Sequence, residues 1–203
     1  SFITPYERVD LPLPVDHPAS GAKDPLISVI LFTTYCGPFC RLGDELVQRL
    51  LKQYGEQMRV YWLLTSFREE GATRLAVRCA YHGMTAQRFA PIHHTLLHLA
   101  FPVQADTLEN ATDGNENALC PPPEQTLGAV PLLEKADDLR QRLKMRSYPV
   151  VFVNGIPIEV TQPARVFESI IAQELELANK LAQTGLQGPD LYYELLRQPA
   201  SQY

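Results

Sequence analysis

The chain has 203 residues, 45% of them hydrophobic and 20% charged, with a formal net charge of -5. Those values exclude a disordered chain, because enough apolar surface exists to offset chain entropy, and the acidic balance argues against a dedicated nucleic-acid binder. The longest apolar run, residues 26–32, is far shorter than a membrane span needs.

In chain order, residues 1–25 hold Pro5, Pro12, Pro14, Pro18 and Pro25 among turn formers and read as an extended lead-in, since proline donates no ladder hydrogen bond. The start, Ser1-Phe2, carries no leader pattern and reads as a trimmed or recombinant terminus. Residues 26–32 (LISVILF) form a near-continuous β-branched and apolar run, the pattern of a strand buried on both faces. Leu42, Leu46, Leu50 and Leu51 then recur at helical spacing between Phe39 and Tyr54, with Pro38 suited to the first turn and Gly55 to the end. Residues 59–64 (RVYWLL) read as a second buried strand, completing a βαβ unit with parallel strands and a right-handed crossover.

The middle of the chain changes character. Residues 73–81 and 86–100 carry helical patterns, the second after Pro91, and residues 102–126 are polar, proline-rich and read as a long irregular connection. Residues 132–145 return to helical spacing with many charges. Val150 to Val153 is a third strand, Asn154-Gly155 a type I′ turn and Ile156 to Val160 the fourth strand. Thr161 is placed to cap a helix entered at Pro163 and running to Ala182, and residues 191–196 form a short last helix. The order β-α-β, helical block, β-β-α is that of an α/β thioredoxin fold with a helical insertion between its halves. The expected divisions are a lead-in at 1–25, a thioredoxin-fold domain at 26–185 with its insertion at 66–146, and a C-terminal helix and tail at 186–203.

The chemistry concentrates where the first strand hands over to the first helix, at Cys36-Gly37-Pro38-Phe39-Cys40. A thiol there faces unpaired backbone N–H groups and the positive end of the helix dipole, both of which stabilise thiolate. Such a thiolate attacks disulfides, and a second thiol resolves the mixed disulfide. Tyr148-Pro149 opens the third strand; a proline at that place in this fold is usually cis and lies against the thiols, leaving backbone free to pair with an extended substrate.

These features resemble the DsbA-like branch of the thioredoxin superfamily, over residues 24–182. The carrying residues are the strand 26–32, the Cys36–Cys40 segment, Cys79-Ala80, Phe89-Ala90-Pro91-Ile92-His93 (similar to the family's F-W-x-M-H), Cys120, and Tyr148-Pro149 with Val151-Phe152-Val153-Asn154-Gly155 (similar to T-P-x-F-x-V-N-G). The resemblance implies a thiol–disulfide oxidoreductase without metal or organic cofactor. Cys36 would be the attacking thiol, Cys40 the resolving thiol and Pro149 the docking element, with Gly37, Pro38, Phe39 and Tyr148 at the substrate. It implies protein thiols or disulfides as substrates, a redox partner that recycles the pair, and an extracytoplasmic, periplasmic setting.

One departure matters: the family spacing is C-x-x-C, and this chain has C-x-x-x-C. Two registers fit. Anchored on the strand end, Cys36 is the nucleophile with one extra residue following it; anchored on Cys40, Gly37 occupies the nucleophile's slot and Cys36 is displaced toward the strand. In a helix, Cα atoms at i and i+4 lie about 6.2 Å apart, inside the disulfide window of about 4.4–6.8 Å. The first register gives an oxidoreductase, the second a catalytically silent binding or chaperone-like module.

Other candidates are weaker. Cys79 and Cys120 fit either a structural staple, worth about 3–4 kcal/mol by loop entropy, or a buried free thiol and an unpaired one. His94 and His98 sit at i, i+4 but lack a carboxylate at metal-ligand spacing, so the cluster His93, His94, His98 reads as solvated or capping and no metal is expected. Thr33-Thr34-Tyr35-Cys36 matches the T-x-x-C fragment of peroxiredoxins, although Val29 stands where that family wants proline. Asn110-Ala111-Thr112 is a glycosylation sequon by pattern, while Glu69-Glu70 and the charges from Glu134 to Arg146 read as solvated helix faces.

Overall fold

The computed structural model describes residues 7–66, 71–111 and 118–201; Pro5, Glu69, Glu70 and Thr112 of the sequon lie outside the described residues. Strands β1 (Ala19–Gly21), β2 (Ile27–Thr33), β3 (Met58–Leu64), β4 (Val150–Val153) and β5 (Ile156–Glu159) form one sheet in the order β1-β3-β2-β4-β5. β2 and β3 run parallel with Ile27 opposite Met58 and Thr33 opposite Leu64, while β4 is antiparallel to β2 and β5 to β4. The β2–β3 crossover passes through α1 (Pro38–Tyr54). After β3 come α2 (Ala72–His82), α3 (Phe89–His98), α4 (Ala105–Asn110), a 3-10 segment (Pro123–Ala129) and α5 (Val130–Arg142); α6 (Ala164–Ala182) and α7 (Gly188–Arg197) follow β5. This is the thioredoxin fold with a helical insertion.

The sheet is buried on both faces, which is why β2 reads as an unbroken apolar run. Val29, Leu31, Val151 and Val153 pack with Leu46, Val47 and Leu50 of α1 and with Phe167, Ile170 and Ile171 of α6. Ile30, Phe32 and Phe152 face Leu11, Ala136 and Leu139 on the other side. The insertion has its own core, in which Tyr35 and Cys40 pack among Ala76, Ala80, Ile92, Leu96, Leu108 and Leu133. The dithiol segment thus sits where the sheet and the insertion meet.

Three sequence expectations are corrected. The lead-in is not wholly extended coil: Ala19 to Gly21 pair antiparallel with Tyr61 to Arg59 and cover the β3 edge. Its composition carries no strand signal because β3 supplies the ladder. The 102–126 connection is also partly helical. Buried Leu108 anchors α4, and the 3-10 segment opens on Pro123, the last proline of the run after Cys120. Thr161 does not cap α6; Pro163, locked near φ -56°, occupies the N-cap with no side-chain cap bond.

Asn154 and Gly155 both have positive φ, 44° and 83°, as a type I′ turn requires. Asn154 also joins the termini: its side chain accepts from Ser28 N at 2.8 Å and donates to Glu174 at 3.0 Å. Glu174, fully buried, takes two hydrogen bonds from Arg8, which also reaches the carbonyls of Gln198 and Pro199.

Candidate dithiol site

Gly37 is the N-cap of α1 and Pro38 its first helical residue. Cys36 therefore lies just before the helix and Cys40 in its first turn, so both sulfurs meet the unpaired N–H end. The N-cap glycine has φ +83°, a left-handed conformation that swings Cys36 back over the helix start. Cys36 and Cys40 are disulfide-bonded with Cα atoms 5.6 Å apart. Cys36 is half-buried, while Cys40 is fully buried.

Pro149 packs on the same helix. The Tyr148–Pro149 peptide is cis, and Gly43 provides the space for it: a Cβ at Gly43 would stand 2.9 Å from Pro149 Cγ. Tyr148 is half-buried and packs against the insertion core, and that burial pushes its hydroxyl up to about 12. Beside the thiols, Phe39 of the same segment is 61% exposed and Phe101 is 58% exposed. Phe101 follows α3 and rests on Gly37, where an added Cβ would touch its ring at 3.2 Å.

A polar chain runs inward from Tyr35, the residue before Cys36. Its hydroxyl pairs with His93 Nδ1 at 2.9 Å, His93 Nε2 pairs with Asp44 Oδ1 at 3.2 Å, and Trp62 Nε1 donates to the same oxygen at 2.8 Å. Burial alone would raise the Asp44 carboxyl, but hydrogen bonds from His93 and Trp62 hold it below the ordinary carboxylate range. The solvated or capping reading of the histidines therefore fails for His93, which is 3% exposed inside this chain. His94 and His98 are exposed, and His98 Nδ1 lies 2.8 Å from the His94 carbonyl. Among the described residues no group of three or more potential ligands is placed to hold a metal.

Gly43, Asp44 and Phe101 escaped the sequence reading. For Asp44 a signal existed: a carboxylate four residues after Cys40, beside the apolar stripe of Leu46, Val47 and Leu50, must be buried and needs partners. The second cysteine pair also meets, Cys79 of α2 bonding Cys120 with Cα atoms 5.1 Å apart.

No family model and no curated protein matches the chain. Solved structures do. The catalytic domain of ScsC from Proteus mirabilis superposes with a TM-score of 0.69 at 19% identity, covering 79% of this chain and 90% of that one. A periplasmic thioredoxin-like protein from Salmonella enterica serovar Typhimurium gives 0.66 at 19% identity, over 79% and 91%. Oxidised BdbD from Bacillus subtilis gives 0.67 at 18% identity, over 86% and 99%. At these identities the likeness establishes the fold, the thioredoxin scaffold with its inserted helices, as the resemblance in sequence implied.

Proposed function

We propose that this chain is a DsbA-like thiol–disulfide oxidoreductase acting on protein thiols or disulfides outside the cytoplasm. The carrying observation is the Cys36–Cys40 pair at the N-terminus of α1, with Pro149 packed on the same helix. In the oxidised form a substrate thiolate attacks Cys36 Sγ, the more accessible sulfur. The new bond is a mixed disulfide, and Cys40 departs as a thiolate. A second substrate thiolate then attacks the substrate sulfur of that mixed disulfide, releasing Cys36 as a thiolate that the helix N-terminus stabilises. The substrate leaves oxidised and the pair reduced, and a redox partner reoxidises it; the reverse sequence reduces a substrate disulfide. Phe39 and Phe101 offer an apolar surface for an unfolded segment, and Pro149, which has no N–H, leaves room for it beside the thiols.

The competing reading is a silent binding module, favoured by the extra residue between the cysteines. Against it stands the Cα separation of 5.6 Å, inside the disulfide window of about 4.4–6.8 Å. Gly37→Cys would restore the shorter spacing, but φ +83° and the Phe101 ring at 3.2 Å make that position hostile to a side chain. The peroxidase reading gains nothing, since Thr33 donates its hydroxyl to the Thr34 carbonyl. Insulin reduction together with a dithiol redox titration tests the proposal. Exchange that tracks a titrating Cys36–Cys40 couple is expected; no exchange, with both thiols staying free under mild oxidant, sinks it.

A further inference from the structure

A cavity of about 690 Å³ opens on the flank of α1, between the start of α3 and the β1 edge. That is within the usual range of small-molecule sites, about 300–1,000 Å³. Its inner wall carries Asp44, which is 8% exposed. Oδ1 is occupied by Trp62 and His93, whereas Oδ2 makes no hydrogen bond among the described residues. A carboxylate offers about four acceptor positions, and the two on Oδ2 are taken by no described residue.

Against its burial, hydrogen bonds from His93 and Trp62 hold the Asp44 carboxyl below the ordinary carboxylate range. The wholly buried Tyr35 hydroxyl pairs with His93 Nδ1 at 2.9 Å. His93 Nε2 in turn pairs with Asp44 Oδ1 at 3.2 Å. Arg59 also borders the cavity, but its guanidinium is held by the Ala22 carbonyl and lies over the Tyr61 ring. Burial pushes His17 toward its neutral form despite Asp16, and His94 is the remaining titratable group of the wall. Two aromatic rings complete the site, Trp62 and Phe89, with centroids 6.0 Å apart and planes inclined at 56°. An anionic oxygen beside ring faces is the chemistry that holds a cation with a carbon stem.

We propose that this cavity binds an organic cation, an ammonium or guanidinium group, with its charge on Asp44 Oδ2 and its stem against Trp62 and Phe89. The site stands whether or not the dithiol exchanges. Trp62 is the single tryptophan of the chain, so its fluorescence reports occupancy directly. The full oxidised chain is titrated with putrescine, with N-acetyl-lysine-methylamide and with the neutral N-acetyl-norleucine-methylamide. A saturable change is expected for a cationic probe and none for the neutral one. Binding of the lysine derivative alone identifies a peptide side chain, and binding of putrescine alone a free amine. Asp44→Asn should weaken binding at least tenfold. Gln48→Lys, at an exposed position one turn along α1, sets a competing cation in the mouth without touching the core and should abolish it. Equal binding of the norleucine derivative, unchanged binding in Gln48→Lys, or no saturable change up to about 20 mM of either amine overturns the proposal.

Discussion

The two disulfides of this protein are chemically one bond in two settings. Each joins a fully buried cysteine, Cys40 or Cys79, to a half-buried one, Cys36 or Cys120, so exposure does not distinguish them. Helix position does. Cys40 lies in the first turn of α1, whereas Cys79 lies in the last turn of α2, where its carbonyl accepts from Gly83 N. The dipole favours thiolate at the first site and disfavours it at the second. Loop length differs as well: the separations are 4 and 41 residues, and the longer loop removes more entropy from the unfolded chain. Only the first pair has Pro149 packed on its helix. Under the proposed function, the end of the helix a cysteine occupies, more than its burial, would separate a reactive pair from a staple.

Substitutions can break this contrast. The largest effect is expected from Cys36→Ser, which should bring insulin reduction down to the uncatalysed level. Cys40→Ser should instead accumulate mixed disulfides on Cys36, visible by mass spectrometry. Cys79→Ala with Cys120→Ala should leave exchange intact and cost about 4 kcal/mol in urea unfolding, against about 2 kcal/mol for the corresponding double change at Cys36 and Cys40. Equal losses would remove the loop-entropy account.

Gly43→Ala sharpens the contrast from the other side. Its Cβ would press on Pro149 at 2.9 Å, so a loss of about 1–3 kcal/mol is expected together with slower exchange. Slower exchange without a change in the stabilising effect of Cys79–Cys120 would confine Pro149's influence to the first pair. The smallest effect is a pH dependence through His17, whose pKa is lowered chiefly by burial. The unfolded chain then binds the proton more tightly, so the contribution is present above the unfolded value near 6.5 and is lost as pH falls through the lower folded value. Urea midpoints between about pH 7.5 and about 5 should decline in the parent and flatten in His17→Gln; parallel curves would argue against it.

The elements that could be read in advance are those with strong local signals. The apolar run at 26–32 became β2, shifted by one residue, and the leucine spacing after Pro38 became α1. Asn154-Gly155 made the turn between β4 and β5. Elements without such signals were illegible: Ala19 to Gly21 is a strand because β3 presents an edge, and α4 is a helix because Leu108 finds a core. Part of the site was equally hidden. Phe101 reaches Gly37 from far along the chain, and Gly43 matters only because Pro149 lands on it.

Spacing and residue type by themselves determined the scaffold and the address of the chemistry, since periodicity, turn residues and a helix-start cysteine are local properties read along the chain. Only the tertiary structure decided which side chains face one another. It bonded Cys36 to Cys40 through the left-handed Gly37, joined Cys79 to Cys120, and turned Asp44, His93 and Tyr35 into one buried chain beside a cavity. Those pairings depend on how α1, α3 and the sheet pack, and close packing among distant elements leaves no periodic trace in sequence.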